Sequence, residues 1–173
     1  MPQRQRHDPS KNLVGFVVGE VEYAVEIARV KEITNPMTVV ALPHAPHSIV
    51  GVADFRGEVV PVVDLRTRFG LRAVPATRRT KWIVVDVVER LVALVVDAVT
   101  EVFGSAGAEV RPAPALGGGE DLRGIAGVTN HGAGLIFLVD PTRLRDLTEP
   151  LATAGAIGAA AKPSVLPAAG RAK

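Results

Sequence analysis

The sequence predicts a mostly β protein made of two similar small β units packed together, with short helices. Three observations carry this. Valine and alanine supply most of an apolar content of 47%, while aromatic residues make up only 4%, and valine runs of this density favour strands over helices. Apolar stretches come in pairs around short turns, the pattern of hairpins. One such pair, residues 49–64, recurs at residues 125–140.

The elements follow in order. Residues 1–12 are polar and without periodicity, and read as a flexible arm. LVGFVVGEVEYAVEI has apolar stretches on either side of Gly19-Glu20, a hairpin of strands 13–18 and 21–27. Ile27, Val30 and Ile33 then recur every three residues, as on a short helical turn or an irregular strand, and Glu32 faces away from them. Residues 38–42 form a short strand closed by Pro43, and a loop stiffened by Pro46 follows. In IVGVADFRGEVVPVVD, residues 49–64, Gly57 supplies the positive φ that a two-residue hairpin turn needs, so Arg56 sits at the tip of a stiff ribbon. Asp64 caps a short helix that Gly70 stops. Residues 71–80 are a polar connector.

A second block begins at Lys81. WIVVDVV and LVALVVDAV are strands around a turn at Glu89-Arg90, and residues 107–122 are rich in turns. IAGVTNHGAGLIFLVD repeats the earlier hairpin, and Asp140-Pro141 opens a short helix. From about Pro150 the chain is alanine, glycine and proline with few large side chains, a loose tail.

Laid without gaps, Ile49, Gly51, Val52 and Asp64 match Ile125, Gly127, Val128 and Asp140, and at another offset Val30, Glu32 and Ile33 match Val99, Glu101 and Val102. Two units of roughly 60 residues each bury only modest cores alone, so they are expected to pack together. The predicted domain is 13–148, with a first unit at about 13–70 and a second at about 81–148. An exchange of end segments between them is left open, and 149–173 form the tail. Where the first unit has Phe55-Arg56-Gly57, the second has His131-Gly132-Ala133. Packing accounts for the shared frame but not for Arg56, which is either a recognition residue or a solvated turn residue.

The formal charge of +2 belongs to the two ends, because residues 13–148 hold 14 basic and 16 acidic residues. A folded nucleic-acid module shows the opposite balance. The chain has no cysteine, which excludes disulfides, thiolate metal sites and thiol nucleophiles, and fits the cytosol. No run approaches the roughly 18 apolar residues of a membrane span, so direct membrane insertion is not expected. Phosphate loops, nucleophile elbows and zinc helices are missing. Gly117, Gly118 and Gly119 precede Glu120-Asp121, which would repel a phosphate, and His44 and His47 flank Pro46 with no carboxylate nearby. Asp64 and Asp140 read as two N-caps rather than a catalytic pair. Arg78-Arg79 with Lys81 reads as a solvated linker, with a nucleic-acid contact as the distant alternative. No catalytic residue, cofactor or metal is expected.

The order YAVEIARVKEI, ALPHAPHSIVGVADFRGEVVPVVDL, LVALVVDAVTEV, RPAP and IAGVTNHGAGLIFLVD resembles the CheW family of chemotaxis adaptor proteins across roughly residues 13–147. The resemblance implies two five-stranded, SH3-like β-barrel subdomains and no catalytic activity. It implies a cytoplasmic adaptor at membrane-associated receptor arrays, coupling the cytoplasmic tip of a methyl-accepting chemoreceptor to the regulatory domain of a CheA-type histidine kinase. The alternative is a protein that binds only one of these partners and localises or competes within a chemosensory system controlling motility or development. By position, Val14, Ile27, Val30 and Ile33 match the family's kinase-binding surface, with a core role equally open for Val14. Arg56 matches the receptor-facing arginine and Glu32 an acidic position near it, and Asp54, Phe55 and Gly57 complete the tip. Asp54-Phe55 replaces the family's Asn-Leu and adds a carboxylate that could pair with Arg56. The tail lies outside the family pattern and is assigned no role.

Overall fold

The computed structural model describes residues 11–105, 109–113 and 124–144. The predicted arm and tail, and most of the turn-rich passage 107–122, lie outside the described residues. Among the described residues ten strands carry the fold: β1 (Asn12–Val18), β2 (Val21–Glu26), β3 (Val30–Thr34), β4 (Ile49–Phe55), β5 (Glu58–Asp64), β6 (Lys81–Asp86), β7 (Leu91–Val96), β8 (Ala98–Gly104), β9 (Ile125–His131) and β10 (Gly134–Val139). Between them lie a 3-10 turn at Ile27–Arg29, the helix α1 (Leu65–Arg68) and a 3-10 turn at Pro141–Leu144.

The strands form two five-stranded sheets, ordered β3-β6-β7-β5-β4 and β8-β1-β2-β10-β9. Neighbours are antiparallel except for the pairs β5–β7 and β2–β10, which are parallel. The sheets do not divide at the connector, as a split into 13–70 and 81–148 would have it. The first sheet takes β3, β4 and β5 from the first half and β6 and β7 from the second, and the second sheet takes β1 and β2 from the first half and the rest from the second. Each half lends a hairpin to the other, through the parallel pairs. Among the described residues strand pairing does not close either sheet into a barrel: β3 and β4, and β8 and β9, remain edges.

The repeat is now physical. Asp64 and Asp140 both cap: Asp64 Oδ1 accepts from the Arg66 N–H at 2.8 Å, and Asp140 Oδ1 from the Thr142 N–H at 2.9 Å. Val52 and Val128 each bridge to an incoming segment, at Val40 and Arg111. That approach explains the paired glycines, because a Cβ on Gly51 would lie 2.2 Å from the Val40 carbonyl oxygen and one on Gly127 2.8 Å from that of Arg111. The strand expected at 38–42 is thus a single bridge, between Pro36 and Pro43, which keep the chain from pairing further. The long apolar run 91–99 is also broken, at Asp97, into β7 and β8.

Three apolar clusters hold the described residues together. The largest lies between the sheets and joins Val14, Phe16 and Val25 of the second to Ile83, Leu94 and Val63 of the first, with Leu65 and Leu144 from the two closing turns. Inside the first sheet, Phe55 and Trp82 pack with Ala53, Val60, Val62, Val84 and Ala93. The second sheet encloses less: Leu13, Ala24 and Ile136, with Phe103 and Leu138 beside them. Tyr23 spans the junction, its ring centroid 4.6 Å from that of Phe69.

Candidate functional site

Two edge elements build the site. On β3, a bulge places both Lys31 and Glu32 opposite Val84, so that Val30 pairs with Val85, Ile33 with Ile83 and Thr34 with Trp82. Cross-strand partners share a face, and Ile83 and Val85 belong to the inter-sheet core while Trp82 and Val84 belong to the interior of the first sheet. The bulge therefore puts Val30 and Ile33 on one face, three residues apart, and Glu32 on the other.

The second element is the β4–β5 hairpin, where Phe55 faces Glu58 and leaves Arg56-Gly57 as a two-residue turn. Both turn residues have positive φ, 54° and 85°, as a type I′ turn requires. Asp54 Oδ1 accepts from the Gly57 N–H at 2.7 Å and fixes the turn. Arg56 reaches across the unpaired seam between β3 and β4, where its Nη2 meets Glu32 Oε2 at 2.6 Å. Its guanidinium carbon lies 5.6 Å from the centroid of the Phe55 ring. The Arg56 side chain is 73% exposed even so. An exposed pair of this kind adds only about 0–1 kcal/mol to stability; its effect is to hold the cation in place.

The structure brings Glu32, Asp54, Phe55, Arg56 and Gly57 together, with unequal roles. The carboxylate paired with Arg56 is Glu32, not Asp54, whose oxygen is committed to the turn. Phe55 is 4% exposed and is a core residue, because Ile49, Ala53 and Phe55 face inward along β4. Of the residues matched to a kinase surface, Val14 is 1% exposed and sits in the inter-sheet core. Ile27 and Val30 are partly buried against the same core, and Ile33 is exposed. An apolar surface is thus limited to Ile27, Val30 and Ile33. Sequence reasoning missed Val59, 70% exposed beside the turn, although alternation along β5 points it outward.

The second sheet holds a counterpart across its own seam. His131 Nε2 lies 3.0 Å from Glu101 Oε1, and the His131 ring stacks on Phe103 at 3.9 Å. Glu101 is the repeat match of Glu32, but Gly132 stands where the first tip has Arg56. His44 and His47 are exposed loop residues, and among the described residues no helix is long and apolar enough to cross a membrane.

The CheW-like domain family model matches residues 12–149. The chain belongs to the CheW-like domain family. Relatives in this family include "Chemotaxis protein CheW" of Rhizobium meliloti (strain 1021), 38% identical over 104 residues that cover 60% of this chain and 67% of that one. The protein of the same name from Klebsiella aerogenes is 33% identical over 129 residues, 75% of this chain and 78% of that one. Among solved CheW structures, the scaffolding protein TtCheW of Thermoanaerobacter tengcongensis superposes with a TM-score of 0.70 at 26% identity, covering 81% of this chain and 90% of that one. Membership in the CheW-like family and this likeness agree with the fold implied by the sequence, two five-stranded β subdomains, with their barrels left open along one seam each.

Proposed function

We propose that this chain is a non-catalytic adaptor of a chemotaxis-like pathway, coupling the cytoplasmic tip of a chemoreceptor to the regulatory domain of a CheA-type histidine kinase at cytoplasmic receptor arrays. Family membership supports the adaptor role. The observation that carries the receptor assignment is the Arg56 guanidinium, exposed yet held by Glu32 and the Phe55 ring on a turn that Asp54 fixes. A cation ordered before binding loses little side-chain freedom when a partner arrives, and arginine is a common anchor at interfaces. In this reading Arg56 and Glu32 touch the receptor, with Val59 beside them. Asp54, Gly57 and Phe55 act from beneath by shaping and supporting the tip. Ile27, Val30 and Ile33 meet the kinase, and Val14 serves them only through packing.

Arg56→Ala is the direct test. Truncating an interface anchor costs about 2 kcal/mol, so affinity for a receptor-tip fragment should fall more than about tenfold while the melting temperature and kinase binding stay unchanged. Ile33→Asp should do the reverse, weakening the kinase and sparing the receptor. Normal receptor binding by Arg56→Ala would remove the site assignment, and wild-type protein that binds neither partner would remove the adaptor reading.

A further inference from the structure

The charge of the chain is uneven in one place. Between Leu65 and Val85 there are six cations, Arg66, Arg68, Arg72, Arg78, Arg79 and Lys81, and no aspartate or glutamate. They stand in a domain where acids outnumber bases, 16 to 14 across residues 13–148. The structure turns much of this stretch outward. Every residue from Leu71 to Arg79 is exposed, and the segment starts against the β1–β2 turn, where Leu71 Cδ1 lies 2.8 Å from the position of a Cβ on Gly19.

The cations differ in what they already hold. Arg66 is committed: its Nη1 meets Asp97 Oδ2 at 2.5 Å, its Nε donates to the Arg72 carbonyl at 2.9 Å, and the same Asp97 oxygen accepts from the Gly19 N–H at 2.7 Å. That network fixes the connector to the β1–β2 turn. Lys81 donates to the neutral Asn35 side chain. Arg72, Arg78 and Arg79 have no carboxylate within ion-pair distance among the described residues. Beside them is a cavity of about 360 Å³, its walls including Val17, Val74, Thr77, Arg79 and Asp97. Leu71 and Val74 are 40% and 50% exposed. Arg79 and Val74 thus line the recess, and Arg72, Arg78 and Leu71 lie on the same exposed segment, the three arginines without a carboxylate partner among the described residues.

We propose that residues 71–81 and this recess form a docking surface, separate from the Arg56 tip, for an acidic partner protein: a loop or extended segment carrying carboxylates on either side of an aliphatic side chain. The carboxylates pair with Arg72, Arg78 and Arg79, and the aliphatic group enters beside Val74. Charge complementarity selects such a partner. A single-stranded nucleic acid fits less well, because residues 71–81 offer no aromatic face for a base. A lipid surface also fits less well, because residues 71–79 form no helix with an apolar side to lay on it.

The test uses the full chain and fluorescence anisotropy with a labelled synthetic peptide that alternates glutamate and leucine. A lysine–leucine peptide, phosphatidylglycerol vesicles and oligothymidylate serve as comparison probes. The acidic peptide should bind, its affinity should fall about tenfold between low and physiological salt, and R72E/R78E/R79E should abolish the binding. Val74→Asp should weaken it with all three arginines in place, and Arg56→Ala should leave it unchanged. On the unmodified protein, amide shifts caused by the peptide should map to residues 71–81 and the β1–β2 turn, a readout that needs no variant to fold. No binding of the acidic peptide, equal binding by the triple variant, shifts elsewhere, or tighter binding of vesicles or oligothymidylate would each overturn the proposal.

Discussion

Arg56 occupies backbone space that costs a non-glycine residue about 1–2 kcal/mol, and its exposed pair with Glu32 offsets little of that. Its place at the tip is therefore not explained by stability. Neighbouring glycines separate two kinds of backbone demand. Nothing lies within 4 Å of a Cβ on Gly57, so Gly57→Ala should cost only the conformational term, about 1 kcal/mol. A Cβ on Gly51 would collide with the Val40 carbonyl oxygen, so Gly51→Ala should cost about 3 kcal/mol or more. Urea unfolding of both variants checks the order, and comparable losses would mean that the 38–42 segment yields easily. At this scale the sequence was partly legible. The Gly57 turn could be read directly, and the burial of Phe55 follows from the alternation of β4. Only the family resemblance put Glu32 near Arg56; the residue pattern alone could not show the pair, because it spans two edge strands that share no backbone hydrogen bonds.

At the scale of elements, the short helix after β5 depends on one partly buried carboxylate. Burial raises the Asp64 pKa above its ordinary 3.8, with the Asp97 charge adding to the rise, while the Arg66 N–H and guanidinium and the Thr67 N–H oppose it. A raised carboxyl pKa penalises the ionised form in the folded state. Stability is therefore lost as pH rises from 3.8 through the folded-state value, and the deficit persists at neutral pH. Asp64→Asn keeps an oxygen for the Arg66 N–H without the charge. It should match or exceed the wild type in thermal stability at neutral pH, with the difference closing as pH falls through that interval. A loss of more than about 1 kcal/mol at neutral pH would mean that the charged cap outweighs its burial. Both caps were legible from Asp64 and Asp140, and so was the three-residue spacing of Ile27, Val30 and Ile33. The bulge behind the Val30–Ile33 step was not singled out, since a three-residue apolar spacing fits a short helical turn as well as an irregular strand.

The whole molecule is two sheets that each need both halves of the chain. Residues 1–75 alone would hold β1–β5 with no β6 or β7 to pair with β3 and β5, and would leave one side of the inter-sheet core bare. Separately expressed fragments 1–75 and 76–173 should each lack a cooperative melt and regain native circular dichroism when mixed. Independent folding of either would show that the exchanged hairpins are dispensable. The repeat that announces two units was plain in the sequence, whereas the exchange could be left open but not decided. Contiguous and exchanged arrangements bury the same alternating faces, and only the pairs between distant strands, parallel β5–β7 and β2–β10 and antiparallel β3–β6 and β1–β8, distinguish them. One consequence concerns the connector between Gly70 and Lys81. Each half is in effect the other's ligand, and the connector sets the local concentration at which they meet. A partner that grips this tether would act on the equilibrium between the halves.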